Sequence, residues 1–94
     1  MRMISSFKCK DTQELYETGE NRRFASIARV ALRKLDMLAA ATMVETLRVP
    51  SGNRLEQLRG NRAGQWSVRI NDQWRVCFSW SGTNAENVEI VDYH

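Results

Sequence analysis

The sequence predicts an α+β fold: an N-terminal strand and two or three helices packed on one face of a twisted, mainly antiparallel sheet. Three observations predict it. Apolar residues recur at spacings of three and four before Leu47, and at every second position after Gln65. Between the two patterns lies Pro50-Ser51-Gly52-Asn53, a run that breaks both. The length, 94 residues, provides for one modest core and not two, so residues 1–94 are read as one domain.

Taken in order, Ile4 to Phe7 is a short apolar-containing run that suits a first strand. Asp11 or Thr12 caps a helix through Thr18, with Glu14 three residues after Asp11 completing a capping-box pattern and Gly19 ending the helix. A second helix carries Phe24, Ile27, Ala28, Ala31, Leu32, Leu35, Leu38 and Ala39 on one continuous face. Arg22, Arg23, Arg29, Arg33, Lys34 and Asp36 fall largely off that stripe, as a solvated outer face does. Thr42 caps a short third helix over Met43 to Leu47.

Beyond the break the period is two. Arg54 to Leu58 has strand character, and Gly60 to Gly64 reads as a basic loop. In Trp66-Ser67-Val68-Arg69-Ile70, alternation turns Trp66, Val68 and Ile70 inward and Ser67 and Arg69 outward. Asn71-Asp72 is a two-residue turn signal, after which Trp74 to Trp80 alternates again with Arg75 on the outer face. Ser81 to Asn84 is a further turn, and Val88 to Val91 a last strand. The outer face, bearing Arg69 and Arg75, is expected to meet solvent or a partner.

Composition narrows the partner. No run approaches the 18 apolar residues of a membrane span, and Lys8 interrupts the start before a signal-peptide core can form, so a cytoplasmic protein is expected. Cys9 and Cys77 are the only cysteines and are expected as reduced, space-filling thiols; with a single His they cannot build a four-ligand zinc site. The net charge of +3 is unevenly placed: six Arg stand between Arg48 and Arg75 against Glu56 and Asp72 alone. Arg supplies eleven of the fourteen cations, and a planar guanidinium grips phosphate through two parallel hydrogen bonds. A small basic domain of this kind points to nucleic acid.

RNA can be cut without a cofactor, because its own 2′-hydroxyl attacks the neighbouring phosphorus. Such a reaction needs a base for the 2′ proton, an acid for the leaving 5′ oxygen, and cations for the charge that builds on phosphorus. The chain supplies cations in Arg54, Arg59, Arg62, Arg69 and Arg75, and proton-transfer groups in Glu56, Asp92, Tyr93 and His94. Carboxylates at metal-binding spacing and a Gly-rich phosphate loop are both missing, so a metal-free, cofactor-free mechanism is expected. His94 is the lone histidine, the residue type whose side chain ordinarily titrates near neutral pH, and the strand Val88 to Val91 leads directly into Asp92-Tyr93-His94.

Four stretches together resemble the HigB branch of the RelE toxin superfamily. They are Leu55-Glu56-Gln57-Leu58-Arg59-Gly60, Gly64-Gln65-Trp66-Ser67-Val68-Arg69-Ile70-Asn71, Trp74-Arg75-Val76-Cys77-Phe78, and Val91-Asp92-Tyr93-His94. The opening strand and the long helix suit the same layout. The resemblance implies a bacterial type II toxin that cleaves messenger RNA in the ribosomal A site, inhibiting translation and arresting growth, without a metal and leaving a cyclic 2′,3′-phosphate. It also implies a HigA-like helix-turn-helix antitoxin, through which the complex would reach operator DNA, and no membrane partner. By position, Asp92, Tyr93 and His94 match the catalytic terminus of the family, and Arg75 its phosphate-contacting Arg. Arg59 stands where the family usually has Lys, and Glu56 where it often has His. Arg54, Arg62 and Arg69 are assigned to RNA or ribosome binding by charge and position.

Glu56 cannot replace a cationic His. It is either a base or a neutralising partner for Arg54 or Arg59, and the expectation is a toxin with weakened catalysis in which Tyr93 and His94 carry more of the proton transfer. Two other functions suit the same scaffold: a gyrase-directed toxin of the ParE branch, and a non-enzymatic RNA- or ribosome-binding module with an inert tail.

Overall fold

The computed structural model describes residues 4–92; the predicted catalytic Tyr93 and His94 lie outside the described residues. Two α-helices, α1 (Lys10–Thr18) and α2 (Ala28–Ala40), precede an antiparallel sheet of β1 (Glu56–Gln57), β2 (Gln65–Arg69), β3 (Trp74–Trp80) and β4 (Ala85–Asp92), joined in the order β1-β2-β3-β4. The helices lie on one face of the sheet, and the α+β prediction agrees with this arrangement. Leu15, Phe24, Leu35 and Leu38 from the helical side meet Val68, Val76, Phe78, Val88 and Ile90 from the strands in one apolar cluster. Each such side chain contributes roughly 1.5–3 kcal/mol by leaving water, which is far more than helix propensity supplies.

The Ile4 to Phe7 segment forms no regular strand. It lies parallel to β4 through two isolated bridges, Ile4 to Ala85 and Phe7 to Val88. α1 begins one residue before Asp11, and its predicted capping box is not made; Cys9 holds the N-cap position without a side-chain bond. Asn21 explains why. Its Nδ2 donates to both Asp11 (3.1 Å) and Glu14 (2.9 Å), while its Oδ1 accepts from Arg23 N and so caps the next turn. Thr12 is wholly buried and accepts from the Ile90 amide at 3.0 Å, tying α1 to β4. Gly19 ends α1 as predicted, at φ 83°, a conformation that costs glycine little.

The predicted long helix is divided. A 3₁₀ segment, Arg22–Ile27, precedes α2, and Phe24 (φ −107°, ψ 16°) and Ile27 leave helical geometry. The kink preserves the apolar stripe: Phe24, Ile27, Ala31, Leu35, Leu38 and Ala39 are all buried, and Phe24 packs edge-on against Trp74. Arg22, Arg23, Arg29 and Arg33 are exposed, but Lys34, read as part of the same outer face, is buried. The third helix is a 3₁₀ turn, Val44–Arg48, whose N-cap is Met43 and not Thr42. The strand expected over Arg54 to Leu58 shrinks to β1, since Arg54 sits at φ 46° and cannot extend it.

Candidate active site

Register decides which side chains share the outer face. Glu56 pairs with Ser67, Ser67 with Cys77, and Cys77 with Glu89, so these four form one row across the sheet. Arg69, Arg75 and Val91 form the next row. Directly paired residues point to the same side, and this side is opposite the one that Val68, Val76 and Phe78 turn to the helices.

The face is not bare. Ser67 and Cys77 are fully excluded from water, and Arg75 is only 8% exposed. Two arginines cross it in opposite directions. The Arg75 side chain runs from β3 over β2 towards β1: its Nε donates to Ser67 Oγ at 2.8 Å, and its Nη2 donates to the Arg54 carbonyl at 2.7 Å and lies 3.2 Å from Glu56 Oε1. Arg62 comes from the loop between β1 and β2 and bridges β2 to β4, donating to Gln65 Oε1 (3.1 Å) and Glu89 Oε1 (2.9 Å). Lys8 approaches the same Glu89 oxygen at 3.8 Å. Beneath them, burial pushes the Cys77 thiol up, opposed by Arg62 and reinforced by Glu89, so it stays protonated and inert. Both cysteines are free; Cys77 fills buried space, whereas Cys9, expected to do the same, is only partly buried at the N-cap of α1.

Arg69 and Arg75 stand directly opposite each other, which like charges resist. Each has its own carboxylate. Arg69 donates to Asp72 Oδ1 at 2.5 Å and holds that carboxyl below the usual carboxylate range, first through this hydrogen bond and then through its charge. Arg75 has Glu56. The expected partner of Glu56 was Arg54 or Arg59, but the guanidinium that reaches it belongs to Arg75, because register brings β1 and β3 to the two sides of Ser67. The turn itself is wider than two residues: Asn71 Oδ1 accepts from both the Gln73 and Trp74 amides at 2.8 Å.

Thus the fold brings Glu56, Arg75 and the Arg54 carbonyl into contact, with Arg62 across the same face and Arg69 one row along. Arg59 is exposed in the loop before Gly60. Asp92 is elsewhere: it pairs with Trp74, which packs on the core side, and its Oδ2 accepts from Gln73 Nε2 at 3.1 Å. Ser67, Glu89, Lys34 and Asn53 were not singled out from sequence. The first could have been, since the period-two reading already put Ser67 and Arg75 on one face; the others needed long-range register. Among the described residues no three His, Cys, Asp or Glu side chains converge as metal ligands, and no helix is long and apolar enough to cross a membrane.

Residues 5–94 match the model of a family described as the RelE-like toxin of type II toxin–antitoxin system HigB. The chain belongs to this family. It is 41% identical over 80 residues to Toxin HigB-1 of Vibrio cholerae, covering 83% of this chain and 84% of that one. It is 31% identical over 94 residues to Endoribonuclease HigB of Proteus vulgaris, covering 98% of this chain and the whole of that one. In structure it is similar to YoeB in the YoeB–YefM complex from Staphylococcus aureus, with a TM-score of 0.57, 17% identity and 98% of each chain covered, a likeness of fold alone. A HigB-like toxin of a type II system has an antitoxin as its partner, and the sequence resemblance to the HigB branch agrees with the family match.

Proposed function

We propose that this HigB-like toxin is a cytoplasmic endoribonuclease that cuts messenger RNA in the ribosomal A site by metal-free attack of the 2′-hydroxyl on the adjacent phosphorus. The observation that carries the reading is the Arg75 guanidinium, almost buried and oriented by Ser67 Oγ and the Arg54 carbonyl, with the exposed carboxylate of Glu56 set where an anionic oxygen would sit. A donor held in place before the reaction stabilises developing charge without reorganising at that moment. The carboxylate of Glu56 stands in for a phosphate oxygen, which must displace it.

Each remaining residue has a role in this reading. Arg59, exposed beside the site, adds charge near the phosphate, and Arg54, Arg62 and Arg69 bind the RNA backbone or ribosomal RNA. Tyr93 and His94 transfer protons, and Asp92, bonded to Gln73 on the other side of the sheet, holds the end of β4 that leads to them. Glu56 acts chiefly as the ion-pair partner of Arg75, so the enzyme is weaker than one whose corresponding residue is cationic. The antitoxin is of the HigA-like helix-turn-helix kind, and operator DNA is reached only through it.

The test uses purified toxin, programmed ribosomes and mRNA, with cuts mapped by primer extension. Codon-phased cuts that require the ribosome and disappear in Arg75→Ala and His94→Ala are expected. Intact mRNA with wild type would overturn the enzymatic reading; toxicity that survives removal of the terminal residues would favour a binding module, and inhibited supercoiling a gyrase toxin. Glu56→Gln decides the role of Glu56: unchanged or faster cleavage fits the ion pair, and loss as complete as in His94→Ala makes Glu56 the base.

A further inference from the structure

Behind the site lies a buried polar pair that the cleavage chemistry does not use. Lys34 of α2 is 8% exposed and Asn53 1%. Lys34 Nζ donates to Asn53 Oδ1 at 2.5 Å, and Asn53 Nδ2 donates to the Leu47 carbonyl at 3.1 Å and approaches Met37 Sδ at 3.6 Å. Lys34 makes no ion pair among the described residues. A buried ammonium with only a neutral amide for company is uncommon. Burial pushes the lysine down from its ordinary pKa, and Arg33 and Arg69 add to the effect.

What this pair holds is the segment that enters the site. The residue after Asn53 is Arg54, at φ 46° and ψ 57°, a left-handed conformation that residues other than glycine rarely adopt and that surrounding structure must impose. Two local backbone bonds, Asn53 N to Pro50 O and Arg54 N to Ser51 O, shape the turn, and the Asn53 side chain anchors it by hydrogen bonds to Lys34 of α2 and to the Leu47 carbonyl. The Arg54 carbonyl, aimed by that conformation, is one of the acceptors that orient Arg75.

We propose that Asn53, locked by Lys34, is a positioning residue for Arg75: the pair holds Arg54 left-handed and so points its carbonyl at the guanidinium. The activity arm rests on the endoribonuclease reading; the structural arm does not. Lys34→Met replaces a buried ammonium by an apolar chain of similar length and leaves Asn53 Oδ1 without its donor. Lys34→Arg keeps a cationic donor for Asn53 Oδ1 and leaves the Asn53 bond to the Leu47 carbonyl in place, so it is the conservative control.

The experiment combines the Arg75 Nε–H signal of the ¹⁵N-labelled full chain with ribosome-dependent cleavage kinetics. In Lys34→Met the Arg75 signal is expected to shift and to exchange faster with water, while Lys34→Arg keeps it near its wild-type position. Cleavage in Lys34→Met is expected to lose about ten- to a hundred-fold in kcat with KM within about twofold, as misplacement of a transition-state group does. An unmoved Arg75 signal in folded Lys34→Met overturns the proposal, and so does an Arg75 signal that Lys34→Arg displaces as far as Lys34→Met does. A moved signal with unchanged cleavage leaves the positioning intact and overturns instead the role given to Arg75 in the reaction.

Discussion

On the helical side of the sheet, Val68, Val76 and Phe78 are closed from water by Leu15, Phe24, Leu35 and Leu38, whereas on the far side Ser67 and Cys77 are closed off just as fully beneath long charged side chains. The first seal is apolar and non-directional, and any side chain of similar volume would partly restore it. The second is directional. Arg75 and Arg62 span the strands because Glu56, Ser67, the Arg54 carbonyl and Glu89 stand at the right distances. In the proposed reaction, a face built this way protects its strands and exchanges its carboxylates for the phosphates of an RNA chain. Binding to that face should therefore weaken with salt.

The largest effect expected is on the apolar seal. Phe78→Ala, at a fully buried core position, should cost about 3–5 kcal/mol by loss of burial and creation of a cavity, read as a fall in the urea midpoint. Arg75→Ala should leave the fold largely intact and slow cleavage by about 10²–10³-fold, which single-turnover cutting on programmed ribosomes measures. If the variant unfolds instead, the far face is structural first and the contrast between the faces collapses. Thr12→Val leaves the Ile90 amide without its acceptor and should cost about 1–3 kcal/mol of stability with cleavage unchanged; altered cut sites would place the α1–β4 contact within the functional machinery.

The smallest effect is a pH dependence. The folded-state pKa of Lys34 lies below its ordinary value, 10.5, so the folded chain holds this proton less tightly than the unfolded one. Its share of stability is fully present above 10.5 and is lost as pH falls through the folded pKa. Urea midpoints taken upward from neutral pH should rise more steeply in wild type than in Lys34→Met, once the background of the other lysines common to both is subtracted. Equal slopes would mean that Lys34 is not buried in solution.

Much of the fold was legible. The stripe from Phe24 to Ala39 survives even though the helix kinks at Phe24 and Ile27, because burial follows the pattern of side chains and not the regularity of the backbone. The alternation of β2 and β3 turned Arg69 and Arg75 to the same face, and Gly19 ended α1. The candidate site was legible in its residue types but not in its contacts. Glu56 was expected beside Arg54 or Arg59, its neighbours in sequence, and is engaged by Arg75, nineteen positions away. The sequence places Asp92 with Tyr93 and His94 in a catalytic terminus, yet one step of strand alternation separates it from Val91 and sets it on the Trp74 side.

What the sequence determined by itself is what repeats locally: two apolar periods, their change at Pro50 to Asn53, the basic stretch between Arg48 and Arg75, and the motifs that mark the family. What only the tertiary structure decided is which charges meet. Lys34 reads as one more surface cation until Asn53 covers it, and Ser67 reads as an outward polar residue until Arg75 lies across it. The reason is physical. Periodicity is set by the geometry of a single helix or strand, whereas the partner of a charged side chain depends on register between segments distant in the chain, where a shift of one residue turns a side chain to the other face.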